Sequence, residues 1–302
     1  MTDNLTFNLS TEVEAARAAN QALVALESTV IAHGLPHPQN LETARRLEEL
    51  IRAAGATPAT IAILAGQLHV GLSEDQIRFI AEDKDIRKIS VRDLPLAVAR
   101  KWNGATTVAS TSWVAQRAGV KVFATGGIGG VHRGLLPDVS ADLPVLASTP
   151  IIVVCSGAKI VLDLPATREW LETYGVTVLG YKCEDLPAFY SRSSGLGIDA
   201  RVDSPAEVVA IYRAQQALGI RTALLVTVPV PEEFEVPAEA LASSLNEALA
   251  QAERRQIGGR AITPFLLSHM AEASRGETLR ANIALLENNA RVAAQIAQAL
   301  ND

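Results

Sequence analysis

The chain has 302 residues, 48% of them hydrophobic, 20% charged and 4% aromatic, with a net charge of −6 at neutral pH. That balance describes a globular protein with a sizeable core, and the lack of any basic block or set of stacking aromatics excludes a nucleic-acid partner. Cys155 and Cys183 form no disulfide or metal spacing, no secretory leader is visible, and no apolar run approaches the ~20 residues that span a bilayer, so a cytoplasmic protein with no membrane partner is expected.

Residues 1–10 read as a poorly ordered N-terminus, and helical and strand-like segments alternate from there almost to the end. NLETARRLEELIRAAG, Asn40 to Gly55, puts Leu47, Leu50, Ile51 and Ala54 on one helical face, with Gly55 as its stop. ATIAILAG comes next as a short buried strand, and Ser73 with Gln76 makes a capping box for the next helix. KVFATGG, PIIVVCSG, VTVLGYK and TALLVTVPVP read as further β-branched strands. SPAEVVAIYRAQQALG is a helix with Ser204 at its N-cap, Pro205 in its first turn and Glu207 completing the cap. Glu184 to Asp203 is a long loop, either a flexible lid or a packed Ω-like loop, and the tail from Pro237 is nearly all helical. This alternation predicts a single α/β domain over residues 1–302: a three-layer α/β/α fold around a mostly parallel central sheet. Ligands gather beyond the carboxyl ends of the strands in such folds.

VVCSGAKIVLDLP presents Lys159 just after a strand, where Ser156-Gly157-Ala158 is expected to turn the chain into a helix. Burial and a helix N-terminus both disfavour an ammonium, and a neutral amine at a pocket edge can form a Schiff base with a carbonyl. The alternative is a lysine that snorkels to solvent. ATGGIGGVHRG, Ala124 to Gly134, has neither Rossmann nor Walker spacing. Its glycines either let backbone N–H groups line an anionic pocket or serve a tight turn of positive φ, and it carries His132 and Arg133. In PDVSAD, Asp138, Ser140 and Asp142 offer oxygen ligands of the kind that suit Mg²⁺ or Mn²⁺, or else an Asx turn and helix cap. Glu27 lies among apolar residues in ALESTVIAHG, where burial suits it to general-acid work unless it sits on an edge strand with its head in solvent. His33 and His37 flank the Pro36 turn and read as packing or turn residues. KISVRDLP offers Lys88 and Arg92 as anion binders, and Asn288 and Asn289 interrupt an apolar-striped helix.

In order, ALESTVIAHGLPHPQN, KISVRDLP, NGATTVAST, KVFATGGIGGVHRG, DVSADL, VVCSGAKIVLDLPAT, LPAFY and NIALLENNA closely resemble the pseudouridine-5′-phosphate glycosidase family, also called the indigoidine synthase A family. The resemblance runs from about Ala25 to Leu300. It implies a homotrimeric α/β/α enzyme that uses one Mn²⁺ per subunit, or Mg²⁺ in its place, to split pseudouridine 5′-phosphate reversibly into uracil and ribose 5-phosphate. Carried over by position, it implies Lys159 as imine-forming nucleophile, Glu27 as proton donor and Asp138 as metal ligand. Lys88, Val108, Ser140, Ala141 and Asp142 match substrate-binding positions, and Asp142 is further expected to take a proton from Lys159. Thr125, His132 and Asn289 are expected to add contacts, Asn289 to the sugar or base. Two residues depart from the family pattern. Val91 replaces an arginine, which would remove an anion contact, and Val228 replaces an asparagine in the expected pocket wall. The rival readings are a Schiff-base aldolase or lyase on another phosphosugar, and a non-catalytic sugar-phosphate sensor.

Overall fold

Runs of β-branched and apolar residues form strands buried on both faces: Ile152–Cys155 and Leu224–Thr227 expose nothing to solvent. Parallel strands sandwiched between helices require such two-sided apolar runs. The computed structural model describes residues 6–133 and 138–301. Its first half runs β1 (Asn8–Leu9), α1 (Thr11–Ala18), β2 (Leu23–Leu26), α2 (Gln39–Ala53), β3 (Thr57–Leu64), β4 (Gln67–Val70), α3 (Glu74–Glu82), β5 (Arg87–Ile89), α4 (Leu94–Ala99), β6 (Gly104–Thr106), α5 (Val108–Arg117) and β7 (Val122–Ala124). The second half continues with β8 (Val131–His132), α6 (Asp142–Leu146), β9 (Ile152–Cys155), β10 (Leu162–Asp163), α7 (Leu164–Thr173), β11 (Thr177–Tyr181), β12 (Ala200–Val202), α8 (Pro205–Ala217) and β13 (Leu224–Thr227). Three helices close the chain: α9 (Ala238–Arg254), α10 (Ile262–Ala273) and α11 (Glu277–Asn301).

The main sheet has the order β1-β4-β3-β2-β7-β9-β13-β11-β12, with β6 pairing β3 and β5 off that path. Every pair from β3 through β12 is parallel, while β4 and β6 join β3 antiparallel. On one face α11 packs over β2, β7 and β9 beside α2 and α8; α5, with α6 against it, covers β2 and β7 from the other. The predicted three-layer α/β/α fold with a mostly parallel sheet is therefore the observed one. Its register sets the site: Leu26 pairs with Ala124, and Ala124 with Val154. Glu27, Thr125 and Cys155 consequently stand level at the carboxyl edge of three adjacent strands.

Several local expectations hold. Ser73 and Gln76 form their capping box, Ser204 accepts from the N–H of Glu207, and Gly55 follows α2 at φ +84°. Others need correction. Residues 8–10 are not loose, because Asn8–Leu9 pairs in register with His69–Val70 and Ser10 caps α1; residues 1–5 lie outside the described residues. Of the two readings of the 184–203 stretch, the lid is set aside and the packed loop is the observed one. Leu186, Phe189 and Tyr190 are buried, the Ser191 hydroxyl donates to the carbonyl of Val236, and Arg192 donates to that of Val230 at 2.7 Å. Among the described residues, no helix is long and apolar enough to cross a membrane.

Candidate active site

Glu27 leaves the end of β2, an interior strand rather than an edge one. Both of its carboxylate oxygens are clamped: Thr125 Oγ1 donates to Oε1 and Thr29 Oγ1 to Oε2. The two threonines come from the ends of β7 and β2, which the sheet register places side by side. Thr125 is buried and lines no part of the neighbouring cleft, so it orients Glu27 instead of making the expected substrate contact.

Lys159 follows β9, yet no helix begins there. The Ser156-Gly157-Ala158 segment continues parallel pairing with the glycine loop: Ser156 N–H donates to the Gly126 carbonyl at 2.8 Å, and Ile128 N–H to that of Gly157 at 3.0 Å. The Lys159 N–H returns to the Ile128 carbonyl at 3.2 Å. The next helix starts only at Leu164, capped by Asp163, so the expected helix N-terminus beside the amine is absent. Gly157 makes the turn possible. Its φ is +74°, and a Cβ there would fall 2.0 Å from the Pro187 carbonyl oxygen.

The glycine loop is not the tight turn of positive φ; it brings Gly126, Gly127 and Gly129 to the cleft wall by close approach, as the other reading has it. Gly126, Gly127, Gly129 and Gly130 are not at positive φ; at Gly129 a Cβ would meet Ser140 Oγ at 2.3 Å. These glycines let the loop approach its neighbours closely. The Gly129 N–H does meet an anion, but it is the protein's own Asp142, whose Oδ2 accepts it at 2.8 Å. Asp142 Oδ1 accepts the Ala109 N–H at 2.9 Å from the first turn of α5. Asp142 is thus a buried pin between α6, α5 and the glycine loop, with both oxygens committed to backbone. Each oxygen keeps a second lone pair, so the pinning role stands beside its expected service as a proton acceptor for Lys159. Gly134 and Pro137, at the ends of two motifs, lie outside the described residues.

Asn289 also departs from expectation. It is fully buried in α11, donating to the Thr125 carbonyl at 2.9 Å and to Ser156 Oγ at 3.1 Å. It braces the ends of β7 and β9 from below. Asn282, two turns earlier on the same face of α11, lines the cavity instead. Asn288 donates to the Pro229 carbonyl at 3.4 Å.

The cavity is a cleft with two lobes that share Glu27, Thr29, Lys88, Lys159 and Thr263. The polar lobe, about 260 Å³, adds Arg92, Val108, His132, Ser140, Ala141 and Asp142, with Asp138 at its exposed rim. The structure thereby gathers in one lobe most of the residues singled out in the sequence. The apolar lobe, about 70 Å³, is walled by Val30, Phe189, Leu267 and Leu286, with Asn282 and His33 as polar members. At roughly 10–15 Å³ per water, that lobe has room for about five waters. Thr263 and Leu267 arrive from α10, so the helical tail closes the cleft from above, a contribution without a local sequence signal.

At the junction two amines, Lys88 and Lys159, meet one carboxylate, Glu27. Burial depresses the pKa of His132, Asp138 partly offsets this, and Lys159 and Lys88 depress it further. Burial and Lys88 likewise hold His33 below the ordinary imidazole value. Such a junction suits an anionic substrate group. Val91 packs against the core and lines neither lobe. Val228 is buried, its N–H bonded to the Cys155 carbonyl at 2.8 Å, and is likewise outside the cavity wall.

Among the described residues no group of three or more His, Cys, Asp or Glu side chains could cage a metal ion. What the polar lobe offers is one exposed carboxylate, Asp138, beside a hydroxyl and open solvent. That donor set fits Mg²⁺ or Mn²⁺, which keep most of their waters, and does not fit a closed site.

The family model described as "Indigoidine synthase A like protein" matches residues 12–299. A pseudouridine-5′-phosphate glycosidase of Herpetosiphon aurantiacus is 53% identical over 294 residues, which is 97% of each chain. Two solved structures share the fold. An indigoidine synthase A-like protein of Thermotoga maritima has a TM-score of 0.92 at 35% identity, covering 100% of this chain and 99% of its own. The prealnumycin C-glycosynthase AlnA, solved in complex with ribulose 5-phosphate, has a TM-score of 0.90 at 40% identity, covering 98% and 97%.

Proposed function

The chain belongs to the indigoidine synthase A family, and from that membership and the two-lobed cleft we propose that it is a C-glycosidase that splits pseudouridine 5′-phosphate reversibly into uracil and ribose 5-phosphate. The observation that carries this reading is that one amine, Lys159, and one carboxylate, Glu27, stand where a cation-lined polar lobe meets an apolar one. A sugar phosphate suits the first lobe and a flat pyrimidine the second.

The chemistry explains the amine. An ordinary glycosidic bond breaks once its heteroatom leaving group is protonated. Pseudouridine joins ribose to uracil through carbon, so that route is closed. In the proposed sequence Glu27, oriented by Thr29 and Thr125, donates its proton to the ribose ring oxygen as the C1′–O bond opens. Lys159 Nζ bonds to C1′ and passes a proton back to Glu27. The nitrogen lone pair then expels the uracil carbon, which takes the proton from Glu27, leaving a protonated imine. Water hydrolyses the imine to ribose 5-phosphate and the free amine, and proton transfer between Lys159 and Glu27 resets both. General acid help of this kind is worth about 10²–10⁴-fold. Lys88 and Arg92 neutralise the phosphate, and Asp142 holds the glycine loop and α5 in place. A hydrated Mn²⁺ or Mg²⁺ held by Asp138 would supply water-mediated orientation of phosphate and sugar oxygens. The assembly proposed is a homotrimer, on the strength of the sequence resemblance; light scattering would read it as three 32.0 kDa chains.

The test is uracil release. The wild type is expected to release uracil from pseudouridine 5′-phosphate and not from pseudouridine. Release from neither, with turnover of aldol substrates, would overturn the proposal in favour of an aldolase.

A further inference from the structure

α10 packs on the cleft along one stripe. Leu266 and Met270 are buried, and Leu267 lines the apolar lobe. Thr263, in the first turn, precedes Leu266, Leu267 and Met270 by three, four and seven residues, so helical periodicity puts it on the same inward face. It lines both lobes, as Glu27, Thr29, Lys88 and Lys159 do. Those four come from the strands and the turns beyond them, and Thr263 alone comes from the helical tail.

The two threonine hydroxyls at this waist differ in what they bond. Thr29 is committed to Glu27 and to the Thr106 carbonyl at 3.1 Å. A threonine within a helix commonly returns its hydroxyl to a carbonyl one turn back. Thr263 Oγ1 does not: it has no hydrogen-bond partner among the described residues, nor is it sealed from solvent. It is open to what fills the cleft.

We propose that Thr263 is a specificity residue for the sugar, hydrogen-bonding the 2′-hydroxyl and so telling ribose from 2-deoxyribose. This rests on the functional reading above. Lys159 bonds C1′, the base leaves into the apolar lobe and the phosphate stays in the polar one, so C1′ stands where the lobes meet. Glu27 serves the ring oxygen on one side of C1′. On the other side is C2′, whose hydroxyl is the one nearest the waist; the 3′-hydroxyl lies a carbon farther into the polar lobe. A threonine hydroxyl can donate to that group or accept from it. A site that pairs a substrate hydroxyl disfavours the analogue lacking it, because its own polar group is then left without a partner.

The experiment measures inhibition of uracil release in the full-length enzyme by ribose 5-phosphate and by 2-deoxyribose 5-phosphate. Thr263→Val keeps the side-chain shape and deletes the hydroxyl; Thr263→Ser keeps the hydroxyl. The wild type is expected to bind ribose 5-phosphate about tenfold more tightly than the deoxy sugar, the scale of one hydrogen bond. The valine variant is expected to erase that preference by weakening ribose 5-phosphate alone, and the serine variant to retain it. No preference in the wild type, or an equal loss for both sugars in Thr263→Val, as a merely structural role of α10 would give, would overturn the inference. A wild type that releases no uracil would overturn the functional reading, and this inference with it.

Discussion

Replacing Asp142 by asparagine separates two roles for the same carboxylate. Its oxygens accept backbone N–H bonds from Ala109 at 2.9 Å and Gly129 at 2.8 Å, at a site where only 7% of the residue is exposed. Hydrogen bonds to a charged group are worth about 1.5–3 kcal/mol each. Asparagine keeps one acceptor but turns an NH₂ toward the other N–H, losing one such bond and weakening the second. The expected loss is about 3 kcal/mol of unfolding free energy. For chains somewhat shorter than this one, each kcal/mol moves Tm by about 2–4 °C, so a drop of about 5–10 °C is expected. Urea unfolding followed by circular dichroism would measure it, with borohydride trapping of the ribose 5-phosphate adduct in parallel. The pin account predicts lowered stability, with adduct formation persisting at temperatures where the variant is folded. Stability unchanged to within about 0.5 kcal/mol, the scatter of an inconsequential substitution, together with loss of the adduct, would refute it and leave Asp142 as the proton acceptor alone.

Asn289→Leu should destabilise by about 2–4 kcal/mol, since it strands the Thr125 carbonyl and Ser156 hydroxyl in the core. Asn282→Ala should raise KM with little effect on stability, and the opposite pattern in chemical denaturation and kinetics would reverse these two assignments. Burial lowers the pKa of both His33 and His69, so the unfolded chain takes up protons first as pH falls. Their contribution to stability is full above about pH 6.5 and shrinks as pH drops below it toward their native values. The urea midpoint should accordingly fall on going from about pH 7.5 to about pH 5.5, and a midpoint that rose would contradict the assignment. Asp138→Ala, like metal chelation, should raise KM while leaving kcat within a few-fold, and should abolish Mn²⁺ binding followed by electron paramagnetic resonance. Retained Mn²⁺ binding in that variant would exclude Asp138 as the ligand.

The sheet and its active edge were legible because parallel strands need long apolar runs, and some of these runs lead within a few residues to a polar side chain at the cleft. Glu27 after LVAL and Lys159 after IVVC are the clearest cases. The turns beyond those runs were harder to read. Ser156-Gly157-Ala158 looks like the entrance to a helix, but Ala158 bridges to Ile128 on the distant glycine loop, and no local pattern announces that pairing. The two asparagines of α11 show a different limit. Asn282 and Asn289 share a helical face, so periodicity puts both inward, and only the path of α11 across the sheet decides which reaches the cleft. The threonine clamp on Glu27 depends in the same way on strand register. His33 reads as a turn residue in sequence, and becomes a site residue only when the π-turn brings it to the cavity wall.

The central claim is that Lys159 becomes covalently bonded to the sugar. Incubation with ribose 5-phosphate and borohydride, with peptide mass spectrometry of the product, tests it directly. The account predicts a reduced pentose phosphate adduct on Lys159, absent in Lys159→Ala, together with loss of uracil release in that variant. An adduct on another lysine, or uracil release that survives in Lys159→Ala, would contradict it.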